Sequence, residues 1–398
     1  MARIVTTGKG RRWVQGGHPW IYADDLAQAE AQPGELAPIF GPNEEPLGWG
    51  LYSSASRIAV RLVSRRAEQP NRAFWLELVQ RAIATRDMLG LLEPNGTCRL
   101  ISGDSEHLPG LVVDRYADVL VVQSGCQGSD RLRDFLIELV CEVLPFEPRA
   151  ILDRSDSGVR RLEQLEPRVE WVRGEIDGLL RVEEPDELVY EVDLVNGHKT
   201  GHYLDQRDNR AIAGSYATIM PGSEGRVLDA FCYDGLFGIQ AARRGAEQVL
   251  CLDQSAACEE RVLRNAELNG VSDRITFAKA NAMHDLRRRA SEDEKYDLVV
   301  VDPPAFARNR KEVQGAERGY RELNVRAMHL VETGGHLVTA SCSFAIGRET
   351  FQRILAESAR DAQRDAYLLH LAGAAHDHPI SLALPESNYL KCAFLRVV

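Results

Sequence analysis

Three groups of residues in this chain carry chemistry by type and spacing, and all lie in its second half. The first is Asp302-Pro303-Pro304-Ala305-Phe306, which follows the apolar run YDLVVV. Two consecutive prolines lack backbone donors and fix φ, so they hold a strand exit rigid and present Asp302 and nearby carbonyls to a flat substrate. Phe306 can stack on such a substrate. The second is Cys342, within Thr339-Ala340-Ser341-Cys342-Ser343 at the end of another apolar run. A lone cysteine is ordinarily an inert core thiol, but one at the strand end beside Asp302 would point into the same crevice and, with a lowered pKa, act as a nucleophile. The third is the pair Asp229 and Asp253, each closing a short β-rich run, with Asn281 closing the next.

A thiol and a carboxylate at neighbouring strand ends suit methylation of carbon 5 of cytosine. That carbon is a poor nucleophile. A thiolate adding to carbon 6 makes the ring enamine-like, carbon 5 then attacks an electrophilic methyl, a base removes the proton and the thiol leaves. Asp302 would hydrogen-bond the ring nitrogen and amino group as charge builds during addition. In paired RNA the base must be flipped out of its stack or presented in a loop. The same Asp-Pro-Pro-aromatic run also suits methylation of an exocyclic amino group of guanine or adenine without covalent attack, and dependence on Cys342 separates the two. A third reading is an RNA-binding assembly factor without turnover; the intact Asp302 to Phe306 run and Cys342 speak against it.

The turn LDAFCYDGLFG lacks the G-x-G-x-x-G that would bring backbone onto a pyrophosphate, having only Gly235 and Gly238. A cofactor without phosphate fits better, and S-adenosyl-L-methionine is the expected one. Asp253 would accept hydrogen bonds from both ribose hydroxyls, since a carboxylate offers only acceptors, and Asn281 would bond the adenine edge. Strand-end acids also cap helices; the combination with the Asp-Pro-Pro run is what favours a cofactor site.

These residues need a particular frame. After about residue 220, the runs GRVLDAF, EQVLCLD, RITFAKA, YDLVVVD and GHLVTASC alternate with the amphipathic segments LFGIQAARRG, ACEERVLRNAELNG, RGYRELNVRAMHLVE and ETFQRILAESARDA. Such alternation specifies an α/β fold, a parallel sheet with helices on both faces, whose ligands sit beyond the carboxyl ends of the strands. Upstream, residues 1–72 read as a β-rich module and FWLELVQRAIATRDMLGLL as a helix. LPGLVVDRYADVLVVQS reads as a hairpin with the helix RLRDFLIELVCEVL laid on it. WVRGEIDGLLRVEEPDELVYEVDLVNG is expected to form hairpin structure leading into the last domain. The domains are therefore 1–72, a central α+β unit over 73–178, and a catalytic domain over 179–398.

With 398 residues the chain exceeds one ordinary core. No run is apolar enough to cross a bilayer and MARIVTTGKGRRW has no signal-like core, so a cytoplasmic protein without membrane contact is expected. The eight cysteines are scattered, which indicates neither a disulfide framework nor a metal site. A net charge of -11 argues mildly against nucleic acid, yet residues 1–72 hold nine basic and seven acidic residues. Their basic residues cluster, Lys9, Arg11 and Arg12 among them, as a phosphate-binding surface requires.

Across nearly its whole length the chain resembles the RlmI-type methyltransferases. GHPWIYADDL is similar to the opening of their PUA RNA-binding domain, HLPGLVVDRYADVLVVQ to their central domain, and HKTGHYLDQRDNR, LDAFCYDGLFG, VVVDPPAFARNRKEV, RGYRELN and TASCS to their class I methyltransferase domain. The resemblance implies a Rossmann-like catalytic domain behind a β-rich PUA domain and a small α+β domain, making 5-methylcytosine in 23S ribosomal RNA, free or within a large-subunit particle. It also implies that Tyr203, Gln206 and Arg207 line the cofactor pocket with Asp229, Phe231, Tyr233, Gly235, Asp253, Asn281 and Asp302. Cys342 would be the nucleophile, with Pro303, Pro304 and Phe306 on the base and Lys9, Arg11 and Arg12 on the RNA. A homodimer stays open. Two positions depart from related patterns: Asn281 stands where an acid is common, and Pro303-Pro304 replaces the Pro-Cys of two-cysteine RNA cytosine methyltransferases, which leaves the proton-removing base unassigned.

Overall fold

The computed structural model describes residues 2–217, 224–307 and 312–398; part of the VVVDPPAFARNRKEV motif, 308–311, lies outside the described residues. The chain packs into two compact units, one of Met1–Pro185, Val192–Leu204 and His376–Ser387, the other of Asp186–Glu191, Asp205–Ala375 and Asn388–Val398.

The first unit holds two sheets. A six-stranded one runs between Arg3–Thr6 and Ile58–Ser64 around Ile4, Ile21, Ile39 and Val60, all fully buried. The helix Gly8–Gln15 within it is poor in apolar residues and was not legible in the sequence; Thr7 caps it, accepting from the Gly10 N–H at 3.2 Å. The second sheet has five strands. Leu111–Tyr116 and Val119–Ser124 form the expected hairpin, with Val113 opposite Val122, and the helices Arg72–Met88 and Gln127–Val143 share its core through Leu78, Val79, Leu139 and Val140. One expectation is corrected. The later part of the expected hairpin segment does pair, Leu180–Glu183 with Val189–Val192 as a two-stranded sheet, but Glu170–Arg173 at its start pairs antiparallel with Ala150–Asp153 instead. Alternation marks a half-buried strand, whereas its partner is set by distant chain.

The second unit is built on a seven-stranded sheet, labelled in chain order β1 (Arg226–Ala230), β2 (Gln248–Asp253), β3 (Ile275–Lys279), β4 (Tyr296–Val301), β5 (Val331–Ser341), β6 (Ala366–Ala372) and β7 (Lys391–Val397). Its helices are α1 (Arg207–Ser215), α2 (Leu236–Arg243), α3 (Ala257–Leu268), α4 (Ala282–Ser291), α5 (Val313–Leu330) and α6 (Arg348–Asp361). Spatial order is β3-β2-β1-β4-β5-β7-β6. The first five strands are parallel, as expected; β7 returns antiparallel to β5, and β6 antiparallel to β7. Every residue of β4 is buried, which is why parallel strands covered on both faces read as unbroken apolar runs. Strand order reverses between β1 and β4, so the crevice opens above their carboxyl ends.

Candidate active site at the carboxyl ends of the central strands

Asp229, the penultimate residue of β1, is 1% exposed, and its Oδ2 accepts the Gly238 N–H at 2.9 Å. Burial pushes its carboxyl up to about 7; the Gly238 N–H opposes the rise, and the charges of Asp302 and Asp253 add to it. The loop that follows carries Phe231, Tyr233 and Gly235 at φ 64°, 51° and 74°. Left-handed non-glycine backbone is strained and persists only where neighbours over-determine it. Here Cys232 N–H donates to the Leu252 carbonyl at 3.1 Å, Tyr233 N–H to Asp253 Oδ2 at 3.2 Å and Gly235 N–H to the Cys232 carbonyl at 2.8 Å. The Arg261 guanidinium lies 4.8 Å over the Tyr233 ring.

Asp253, at the tip of β2, accepts one backbone N–H on each oxygen, from Tyr233 and from Ser255 at 2.9 Å. A carboxylate has about four acceptor positions, so the group fits the two vicinal hydroxyls of a ribose without losing its own structural bonds. Asn281 is exposed and caps α4, its Oδ1 accepting from the His284 N–H at 3.2 Å. With that oxygen used, what it brings to an adenine edge is the donor side of its amide. These groups and the phosphate-free turn fit S-adenosylmethionine.

Asp302 leaves β4 beside this cradle. Gln206 Nε2 donates to its Oδ2 at 3.0 Å, and Asn209 Nδ2 donates to Gln206 Oε1 at 2.6 Å and to the Gly373 carbonyl at 3.0 Å. Asn209, 1% exposed, therefore orients the Gln206 amide as a donor toward Asp302. Sequence reading missed Asn209, although its position three residues after Gln206 at the start of α1 was a usable signal.

β4 and β5 run parallel with Val301 level with Thr339, which sets Asp302 level with Ala340 and Cys342 two residues further along the adjacent strand. The Cys342 thiol is half-buried and in no disulfide, between buried Ser341 and Ser343. Ser343 Oγ accepts the Ala307 N–H at 3.2 Å and lies 2.9 Å from the Tyr320 hydroxyl, so the Asp-Pro-Pro loop and the cysteine segment are tied together. Pro303 is buried and Pro304 exposed; the Phe306 ring rests 4.6 Å from that of Tyr320.

The other expected site residues have the following local partners. Arg207, 5% exposed, donates to Asp208 at 2.9 Å. Tyr203 belongs to the first unit, its hydroxyl 2.9 Å from His198 Nδ1 and its ring under Lys199 Nζ at 4.4 Å. Lys9, Arg11 and Arg12 sit on the helix Gly8–Gln15: Lys9 is paired with Asp25 at 3.0 Å and Arg11 with Glu45 at 3.2 Å, while exposed Arg12 has no ion pair among the described residues. Among the described residues, no group of His, Cys, Asp or Glu could hold a metal, and no helix is long and apolar enough to cross a membrane.

Strand order, turn and strand-end acids together define an S-adenosylmethionine-dependent methyltransferase of class I fold. A family model for such methyltransferases matches residues 158–381, and one for a PUA-like domain matches residues 4–65. The chain is 38% identical to the ribosomal RNA large subunit methyltransferase I of Shewanella denitrificans over all of both chains, and 38% identical to that of Tolumonas auensis over 96% of each. It belongs to the ribosomal RNA large subunit methyltransferase I family, with a β-rich PUA-like region preceding the catalytic fold. That fold is shared over the full length of both chains with a methyltransferase solved in complex with SAH (TM-score 0.84, 20% identity) and with a SAM-dependent methyltransferase from Streptococcus mutans (TM-score 0.82, 18% identity).

Proposed function

We propose that this protein methylates carbon 5 of a cytosine in large-subunit ribosomal RNA, the 23S RNA, through a covalent adduct at Cys342. The observation that carries this reading is a half-buried thiol just past the end of β5, two residues beyond the point on that strand level with the Asp302 exit of β4. S-adenosylmethionine, when bound, supplies a methyl made electrophilic by its sulfonium. Asp229, Asp253, Asn281 and the loop Phe231 to Gly235 are the residues that would hold it. Asp302, oriented by the Gln206 amide, accepts from the amino group of the target base, and Phe306 and Pro304 offer it flat apolar surface. Cys342 adds as thiolate to carbon 6; after methylation and loss of the carbon 5 proton, the sulfur–carbon bond breaks and the thiolate is regenerated. The family relatives named above act on large-subunit ribosomal RNA, and Lys9, Arg11 and Arg12 are assigned to its phosphates.

The test is transfer of labelled methyl from S-adenosylmethionine to unmodified 23S RNA, with nucleosides identified by mass, for wild type and Cys342→Ala. Formation of 5-methylcytidine that disappears in the variant is expected. A methylated amino group on guanine or adenine, or a fully active variant, would instead establish exocyclic-amino methylation.

A further inference from the structure

Lys391 opens β7 at 1% exposure. Its backbone pairs with Ser341 at the end of β5, and its Nζ donates to the Ser343 carbonyl at 2.7 Å and the Tyr389 carbonyl at 2.8 Å. Cys342 is thereby bracketed: the residue before it is the strand partner of Lys391, and the residue after it is held by the lysine's side chain. Among the described residues, those two carbonyls are the hydrogen-bond partners of Nζ and no carboxylate lies within ion-pairing reach. A buried ammonium without a carboxylate is costly, so its retention calls for an anion. Burial lowers the Lys391 pKa to about 8, and the group that opposes this lowering is the Cys342 thiolate. Coupling between two charges is reciprocal, so the ammonium favours the thiolate in turn. Of the other ionisable groups packed there, Arg348 at the start of α6 acts against the ammonium, Tyr320 on α5 is kept neutral by burial and by Cys342, and Asp302 at the exit of β4 acts on neighbouring Cys392.

We propose, on the reading of Cys342 as nucleophile, that Lys391 is its positioning residue: the ammonium, anchored by the Ser343 and Tyr389 carbonyls across the β5–β7 edge, is the counter-ion of the attacking thiolate. The thiol ionises by passing its proton to solvent, and the lysine keeps its own.

The experiment follows alkylation of Cys342 by iodoacetamide against pH in the full chain, read by the mass of the peptide that carries it, for wild type, Lys391→Met and Lys391→Arg. In wild type and Lys391→Arg the half-maximal rate is expected below the pH of about 8.5 typical of a free thiol. In Lys391→Met it is expected at least about one pH unit higher than in wild type, making alkylation roughly tenfold slower at pH 7. Methyl transfer falls in parallel and is restored by arginine. A Lys391→Met profile that coincides with wild type overturns the proposal. Should that variant fail to fold, the other two profiles decide: half-maximal rates below that of a free thiol in both support the proposal, and rates at or above it refute it. The two readings fail separately, because full activity of Cys342→Ala removes the nucleophile whatever the alkylation shows. An inactive Cys342→Ala beside an unshifted Lys391→Met profile removes only the role of Lys391.

Discussion

Asp229 is a carboxyl group kept where ionisation is expensive, and its cost is measurable through pH. Its folded pKa of about 7 exceeds the unfolded value of about 4, so between those limits the folded protein holds a proton that the unfolded chain has released. The stability this contributes is fully present below about pH 4 and is lost as pH rises toward 7. The full cost is on the order of 4 kcal/mol in a dry site and less where water enters. Asp229→Asn keeps an oxygen for the Gly238 N–H but cannot ionise. In the ligand-free protein its melting temperature is therefore expected to exceed that of wild type at pH 8, with the gap closing toward pH 5. Binding of the cationic methyl donor, measured by calorimetry at pH 8, is expected to weaken in the same variant. A variant less stable than wild type at pH 8 would mean that the carboxylate is solvated or paired after all.

At the scale of elements, the site depends on how closely α2 can approach β2. A methyl group placed on Gly238 would lie 2.8 Å from Val249 Cγ1 and 2.9 Å from Cys251 Sγ, both on β2, so Gly238→Ala must push the helix off the strand that carries Asp253. A loss of about 1–3 kcal/mol is expected from overpacking, read as a lower urea midpoint, together with weaker cofactor binding. Gly315→Ala in α5, where the added methyl meets nothing within 4 Å, is the control and is expected to be neutral or stabilising by up to about 1 kcal/mol. Equal midpoints for the two variants would show that α2 has room to move. The same elements explain what was legible in the sequence. β1 to β5 and the helices α2, α3, α5 and α6 could be read because short β-rich runs, unbroken and apolar in fully buried β4, alternate with amphipathic helices. α1 and α4 could not, since RDNRAIAGS and AMHDLRRRAS hold few apolar residues, nor could β6 and β7, whose antiparallel return breaks the strand-helix rhythm. Strand ends pointed to Asp229, Asp253, Asp302 and Cys342 as candidates. Asn209 and Lys391 escaped because their placement comes from contacts: Asn209 acts through the amide of Gln206, and Lys391 meets Ser343 across 48 residues of chain.

For the whole molecule, the question is how a chain of net charge -11 holds a polyanion. Binding must come from locally available cations, because each phosphate contact releases counter-ions and makes affinity fall with salt. Residues 1–72 have the more favourable balance, nine basic against seven acidic, but formal counts overstate what RNA can use. Lys9 is spent on Asp25, whose side chain is 2% exposed, and Arg11 shares Glu45. Arg12, one turn along the same short helix, is exposed and carries no ion pair among the described residues. The three residues should therefore separate by experiment. Lys9→Ala leaves a buried carboxylate without its cation and is expected to lower the melting temperature. Arg12→Ala is expected to leave melting unchanged while weakening RNA binding and reducing the slope of log affinity against log salt by about 0.7–0.9, the share of one phosphate contact. If Arg12→Ala binds RNA with an unaltered slope, this helix faces away from the RNA and the phosphate contacts must be sought on other exposed basic residues of the same module, such as Arg57 and Arg66.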